Sequence, residues 1–406
     1  MIPSLIQRTS RFIDWAISFF NLVNPAAFRH SRIMSVQRKP SLPFTRRRRI
    51  VALLGLTVGF LNLHLSGQTV NSAKAAAAHF PPGIVDMHCH IAGIGAGGSG
   101  CFVAPGLLHN WRFSFYLRSF GVSLRELREH GDTLVADRIS ERLAGSQYVH
   151  QAVVLALDGV VDATGNLDTN HTEVYVPNEF VDAVVRQHTN LLFGASVNPY
   201  RPDALARLEW AKAHGAVLVK WIPPIMEIDP ADPRLVPFYR KLVQLGLPLL
   251  SHTGREKSFS RAAADFGDPD RLRLPLSLGV TVVAAHLASS AEYQGERGPD
   301  RLARLMGEYP RLYSDISALT LVNKPGALRE AVTRPEFAGR LLYGSDYPLV
   351  NTPLVSPWYY LRLSLRQKLR VSHAKNPWDR DVLLKRALGV SPDTFARPSH
   401  LLSPAS

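Results

Sequence analysis

Eight short apolar, β-branched-rich runs recur along this chain, each separated from the next by enough sequence for a helix. The first four are GIVDMH (83–88), HQAVVLAL (150–157), LLFGASV (191–197) and AVLVKW (216–221). LPLLSH (247–252), VTVVAAH (280–286), RLYSDIS (311–317) and RLLYGSD (340–346) complete the set. Repeated βα units indicate a parallel sheet, and its strands read as near-continuous apolar runs when helices cover both faces. Eight of them predict a closed (β/α)8 barrel of the TIM type, an α/β fold, rather than an open doubly wound sheet. The connectors PNEFVDAVVRQHT (177–189), PDALARLEWAKAHG (202–215) and DPRLVPFYRKLVQLG (232–246) open on Pro or Asp, and the latter two end on Gly, as helices do.

One connection is longer than the rest. Residues 91–149, between the first two strands, open on GIGAGGSG (93–100) and continue into WRFSFYLR (111–118). The glycines are not followed by Lys-Ser or Lys-Thr, so they do not make a phosphate-binding loop. A loop and helical insertion over the barrel mouth is expected, because functional loops of such barrels gather at the C-terminal face.

Residues 1–80 read as an address, and 81–395 as the barrel domain. Arg46 to Arg49 precede the apolar run IVALLGLTVGFLNLHLSG (50–67), in which His64 is the only titratable side chain. That is the layout of an export signal, and TRRRRIV (45–51) resembles a twin-arginine signal that lacks its usual phenylalanine. Ala73-Lys74-Ala75 offers a small-residue cleavage site. An uncleaved membrane anchor is the competing assignment, which would give an N-terminal membrane contact, and Met34 is an alternative start. An exported, periplasmic or membrane-anchored protein is expected, rather than a cytoplasmic one.

Most of the formal net charge of +14 also lies before Ile50, where Asp14 is the only acid. With no zinc-finger spacing and no basic helix interleaved with aromatics, a nucleic-acid partner is not expected. Cys89 and Cys101 are too few for a disulfide framework, although a single bridge between them is open to an exported chain.

The chemistry lies at the strand ends. His88 and His90 are two apart on the first strand, so both side chains face one way and can grip one ion. His252 ends the fifth run, His286 the sixth and Asp346 the eighth. One histidine on an apolar strand is ordinarily a hydrogen-bonded rim residue. Five such positions converging on one barrel rim are a metal site, and imidazoles with one carboxylate suit zinc and related divalent ions.

DMHCH (86–90), LLSHTG (249–254), VVAAHLA (282–288) and YGSDYP (343–348), in this order, resemble the strand-end motifs of the amidohydrolase superfamily, in its amidohydrolase-2 branch. The resemblance spans about Gly83 to Gly389. It implies metal ligands at His88, His90, His252 and Asp346, with His286 a ligand or an acid/base, so Asp346 and His286 are the expected catalytic pair. Lys220, near the end of the fourth strand, stands where some members carry a carbamylated lysine that bridges a second metal. Unmodified, its ammonium would repel cations and could bind a substrate carboxylate. One ion is favoured over two. Asp315 is read as a structural strand-end acid. Among the residues after His252, Arg255 is preferred to Glu256 as a substrate contact, because its planar fork pairs a carboxylate in two places.

The expected activity is hydrolysis of a small-molecule amide, lactone or ester by a metal-bound hydroxide. A decarboxylase or hydratase of the same superfamily is the runner-up, and an exported ligand-binding barrel without turnover is the third.

Overall fold

The computed structural model describes residues 83–256, 262–289 and 291–403. The N-terminal address, its apolar run and its cleavage site lie outside the described residues. Among those described, no helix is long and apolar enough to cross a membrane.

The eight expected strands form one parallel sheet in chain order. They are β1 (Ile84–His90), β2 (Val149–Leu155), β3 (Leu191–Ala195) and β4 (Leu218–Trp221), then β5 (Leu249–His252), β6 (Val282–Ala285), β7 (Leu312–Asp315) and β8 (Leu341–Leu342). The sheet closes because the chain beyond β8 runs along β1. Met87 N–H donates to the Tyr343 carbonyl (3.4 Å), Asp346 N–H to that of His88 (2.9 Å) and His90 N–H to that of Tyr347 (2.9 Å). Only the first residues of the eighth run pair regularly, since the chain must then bend to meet β1.

Helices of seven residues or more are numbered in chain order. The insertion after β1 holds α1 (Trp111–Phe120), α2 (Leu124–His130) and α3 (Thr133–Ala144). Its local signals are readable. The Asn110 side chain caps α1, Ser123 and Glu126 form a capping box on α2, and Gly121 ends α1 with φ 87°, a conformation that glycine adopts without a Cβ penalty. Val135, Ala136, Ile139 and Leu143 form the buried face of α3. The glycine-rich start is pinned. One Asp132 carboxylate oxygen accepts from Ile94 N (2.9 Å), Gly95 N (2.8 Å) and Ser99 Oγ (2.5 Å).

The outer layer continues with α4 (Asn178–Val185), α5 (Ala204–Ala213), α6 (Val236–Leu245), α7 (Gly298–Glu308) and α8 (Ala327–Thr333). After β8 come α9 (Leu365–His373), α10 (Pro377–Ala387) and α11 (Pro392–Leu402). Two apolar layers result. Val85, Met87, Val153, Leu155, Leu250 and Val283 fill the barrel interior, while Ile84, Cys89, Val154 and Val282 belong to the layer between sheet and helices. Cys89 and Cys101 are both buried and free, so the bridge that export would have allowed is not formed.

Candidate metal centre at the strand ends

The orientation of His88 depends on an irregularity in β1. Asp86 pairs with Ala152 and Cys89 with Val154, so three steps on β1 match two on β2. Strict alternation from Val85 and Met87 would turn His88 into the outer layer. The extra residue reverses the parity, sending Cys89 outward and both histidines to the barrel mouth.

His88 is fully buried, and its Nδ1 lies 2.7 Å from Asp315 Oδ2. The other Asp315 oxygen accepts from His286 N (2.9 Å) and from Ser317 Oγ (2.5 Å). A carboxylate on Nδ1 fixes the ring orientation and the tautomer in which Nε2 carries the lone pair. That Nε2 sits 3.2 Å from His90 Nε2 and 3.6 Å from Asp346 Oδ1, and His90 Nε2 is 3.1 Å from the same oxygen. The three atoms lie within 4.8 Å of one another, as ligands of a single ion would.

His252 adds a fourth donor. Its Nε2 is buried with no hydrogen-bond partner among the described residues and lies 3.7 Å from Glu256 Oε2. Leaving a buried polar nitrogen unpaired costs about 1–3 kcal/mol, which a bound cation would recover. The residues present therefore fit a divalent ion.

The protonation states agree with that fit. Burial pulls His88 and His252 down to about 4 and His286 well below its ordinary value, so the rings are neutral at pH 7, the form that binds metals. Burial opposes ionisation of Asp346, but His286, His90 and His88 outweigh it and hold the carboxyl well below its usual range. Burial brings Lys220 down to about 8, against the pull of Asp315, Asp346 and Glu256. Its Nζ lies 2.9 Å from His88 Nε2.

Two site residues adopt left-handed backbone conformations without being glycine: His286 (φ 62°) and Asp346 (φ 64°). Such conformations cost about 1–3 kcal/mol and persist where the surroundings impose them. Here the clamps are the His286 N to Asp315 and Asp346 N to His88 hydrogen bonds. Gly344 lets the eighth run approach β1, since a Cβ there would stand 2.9 Å from the His88 Cβ.

A cavity of about 180 Å³ opens over these groups. Its walls are mainly apolar, with Phe113, Tyr116 and Phe120 from α1 facing Leu157 and Leu349, so the insertion after β1 covers the mouth. His90, Lys220, His252, His286 and Asp346 supply the polar floor, with Arg112 and Glu256 at its edge.

Of the side chains singled out from sequence, Arg255 alone falls outside this group. It is exposed and does not line the cavity, whereas its neighbour Glu256 does, and Arg112 provides the cation on the wall. The order of preference between Arg255 and Glu256 is thus reversed, because the chain leaving β5 turns Glu256 toward His252 and Arg255 toward solvent. Arg112 was missed because it comes from an insertion whose placement no strand-end pattern encodes. Ser317, 2.8 Å from His286 Nδ1, was also missed, although it follows Asp315 by two residues and so shares its face. His214, away from the site, is half-buried and stacks on Trp210.

The family described as amidohydrolase matches residues 85–370. No curated protein matches the chain. Among solved structures, an uncharacterised TIM-barrel protein from Bordetella bronchiseptica is 18% identical, with a TM-score of 0.47, over 75% of this chain and 99% of its own. A putative 2-pyrone-4,6-dicarboxylic acid hydrolase from Pseudomonas putida is 15% identical, with a TM-score of 0.43, over 80% and 99%. A 2,6-dihydroxybenzoate decarboxylase from Rhizobium is 13% identical, with a TM-score of 0.41, over 66% and 88%.

Proposed function

The chain belongs to the amidohydrolase family, and from that premise we propose a metal-dependent hydrolase that cleaves an amide, lactone or ester bond of a compact small molecule. The observation that carries this is the convergence of His88 Nε2, His90 Nε2 and Asp346 Oδ1 within 4.8 Å, beside a His252 Nε2 that has no hydrogen-bond partner among the described residues. A divalent ion, zinc by the imidazole-rich donor set, would polarise the scissile carbonyl and acidify water. One ion suffices. The second candidate grouping, His88, His286 and Asp315, is a hydrogen-bonded unit in which both Asp315 oxygens are already engaged.

The protein groups divide the remaining work. Asp346 is held ionised and can take a proton at its carboxylate. Because Ser317 Oγ gives its proton to Asp315, His286 Nδ1 donates to Ser317, and the neutral ring presents Nε2 as an acceptor that can take a proton and then pass it to the leaving group. The aromatic wall from α1 excludes water and limits substrate size. Lys220 and Arg112 line the same cavity, and this pair of cations favours a second activity, decarboxylation of a carboxylic acid, over an unspecific alternative. We assign residues 1–80 to export, with twin-arginine-like targeting or membrane anchoring.

The test is product analysis on full-length protein loaded with zinc, offered panels of esters, lactones, amides and aromatic carboxylic acids. Hydrolysis products that vanish in Asp346→Asn support the leading reaction. Carbon dioxide release without hydrolysis would replace it with the second. Zinc-loaded protein inactive on every panel would overturn both.

A further inference from the structure

The chain beyond the cavity wall carries a surface unlike the rest. From Tyr347 to Trp378 there is no Asp or Glu, while Arg362, Arg366, Lys368, Arg370 and Lys375 fall within the same stretch. Large apolar side chains are exposed in it: Leu361 by 92%, Leu365 by 64%, Trp358 by 51% and Leu369 by 40%. Leu365 and Leu369 are four apart on α9 and so share a face. The turn before the helix is fastened to it, since Trp358 Nε1 donates to Ser372 Oγ (3.0 Å) and the Lys368 ammonium stands 5.7 Å from the Trp358 ring centre. On the inner side, Val371 packs with Leu363 and Leu384, anchoring the segment to α10. The patch is therefore held outward by structure.

Beside it lies a largely apolar hollow of about 670 Å³, bounded by Leu328 and Val332 of α8, Tyr359, Leu361 and Leu388, with Arg329 and Arg362 also lining it. Contiguous exposed apolar side chains mark an interaction site. Tryptophan, tyrosine and leucine set among cations, with no acid between them, match the chemistry of an anionic bilayer surface: ring and acyl contacts at the headgroup level, and phosphates for the basic groups. We propose that residues 357–370 form an interfacial docking surface for an anionic phospholipid membrane. A second copy of this chain is disfavoured as the occupant, because a symmetric contact would press one basic, acid-free face against another. The loop that carries the patch begins at Pro348 and Leu349 in the cavity wall, so docking ties the substrate entrance to the lipid surface.

Hydrogen–deuterium exchange on the full-length protein, with and without vesicles, tests this locally and so is independent of any binding by residues 1–80. With phosphatidylglycerol vesicles, exchange across 357–370 should slow at least about fivefold, the partition factor that one basic side chain contributes at an anionic surface. With phosphatidylcholine vesicles it should not. Arg362→Glu/Arg366→Glu/Arg370→Glu and Leu361→Ser/Leu365→Ser alter exposed side chains only and should each abolish the slowing. Unchanged exchange with phosphatidylglycerol overturns the proposal, as does equal slowing on both lipids. Slowing that appears without vesicles and grows with protein concentration would assign the patch to self-association instead, and also overturns it.

Discussion

At the scale of single residues, His252 separates stability from metal binding. In metal-free protein its Nε2 is a buried nitrogen with no hydrogen-bond partner among the described residues, a cost of about 1–3 kcal/mol that exists only while the ion is absent. His252→Leu should therefore raise the melting temperature of chelator-treated protein while lowering the zinc retained after dialysis. A variant that melts lower without metal, or that keeps its zinc, would show that the ring is not a waiting ligand. Cys101 gives a second test, remote from the metal. Burial, with the nearby Asp132 charge, pushes its thiol from 9.0 up to about 12, against the hydrogen bond from Ser99. Between pH 9 and 12 the unfolded chain releases this proton and the folded chain does not, so stability falls as pH rises through that window. At pH 8 the folded thiolate is on the order of a thousandfold scarcer than in an unfolded chain, and iodoacetamide labelling of Cys101 should require unfolding. Rapid labelling of native protein would place this thiol at the surface.

At the scale of elements, a buried ion pair ties α10 to the eighth run two residues before Asp346. Lys385 Nζ donates to Asp381 Oδ2 (2.7 Å) and to the Gly344 carbonyl (2.8 Å), and neither charged side chain reaches solvent. Lys385→Met should cost about 3–5 kcal/mol in urea unfolding, because it strands a buried carboxylate. Adding Asp381→Leu should recover most of that loss, and a single-variant loss below about 1 kcal/mol would show that the pair is dispensable. The same region marks where sequence stops being informative. Eight strands were legible because strands buried on both faces leave unbroken apolar runs, and His252, His286 and Asp346 were legible because they end those runs. The extra residue in β1 was not, since GIVDMHCH reads as plain alternation and the irregularity exists only against β2. Nor was the layer beneath the site, in which Asp86 accepts from Ser345 N (2.8 Å) and Trp378 Nε1 (2.8 Å). Those partners are 259 and 292 residues away, and no local pattern pairs them.

At the scale of the whole molecule, the metal site is also a staple on the barrel. Its ligands come from β1, β5 and the chain after β8, so one ion would join both sides of the closing seam and the far wall. Any group that binds the folded state alone stabilises it by mass action, by about 4 kcal/mol when the free ion exceeds its dissociation constant a thousandfold. In a barrel of this size, that corresponds to a rise in melting temperature on the order of 5–10 °C. Zinc added to chelator-treated protein should produce such a rise, and Asp346→Asn should reduce it to a small fraction. The comparison also distinguishes a folded-state site from adventitious binding. Surface histidines such as His109 and His373 persist in the variant and on the unfolded chain, so ions held there would stabilise wild type and variant alike, or neither. A zinc-dependent rise that survives the loss of Asp346 would move the ion away from the strand ends and remove the physical basis of the proposed chemistry.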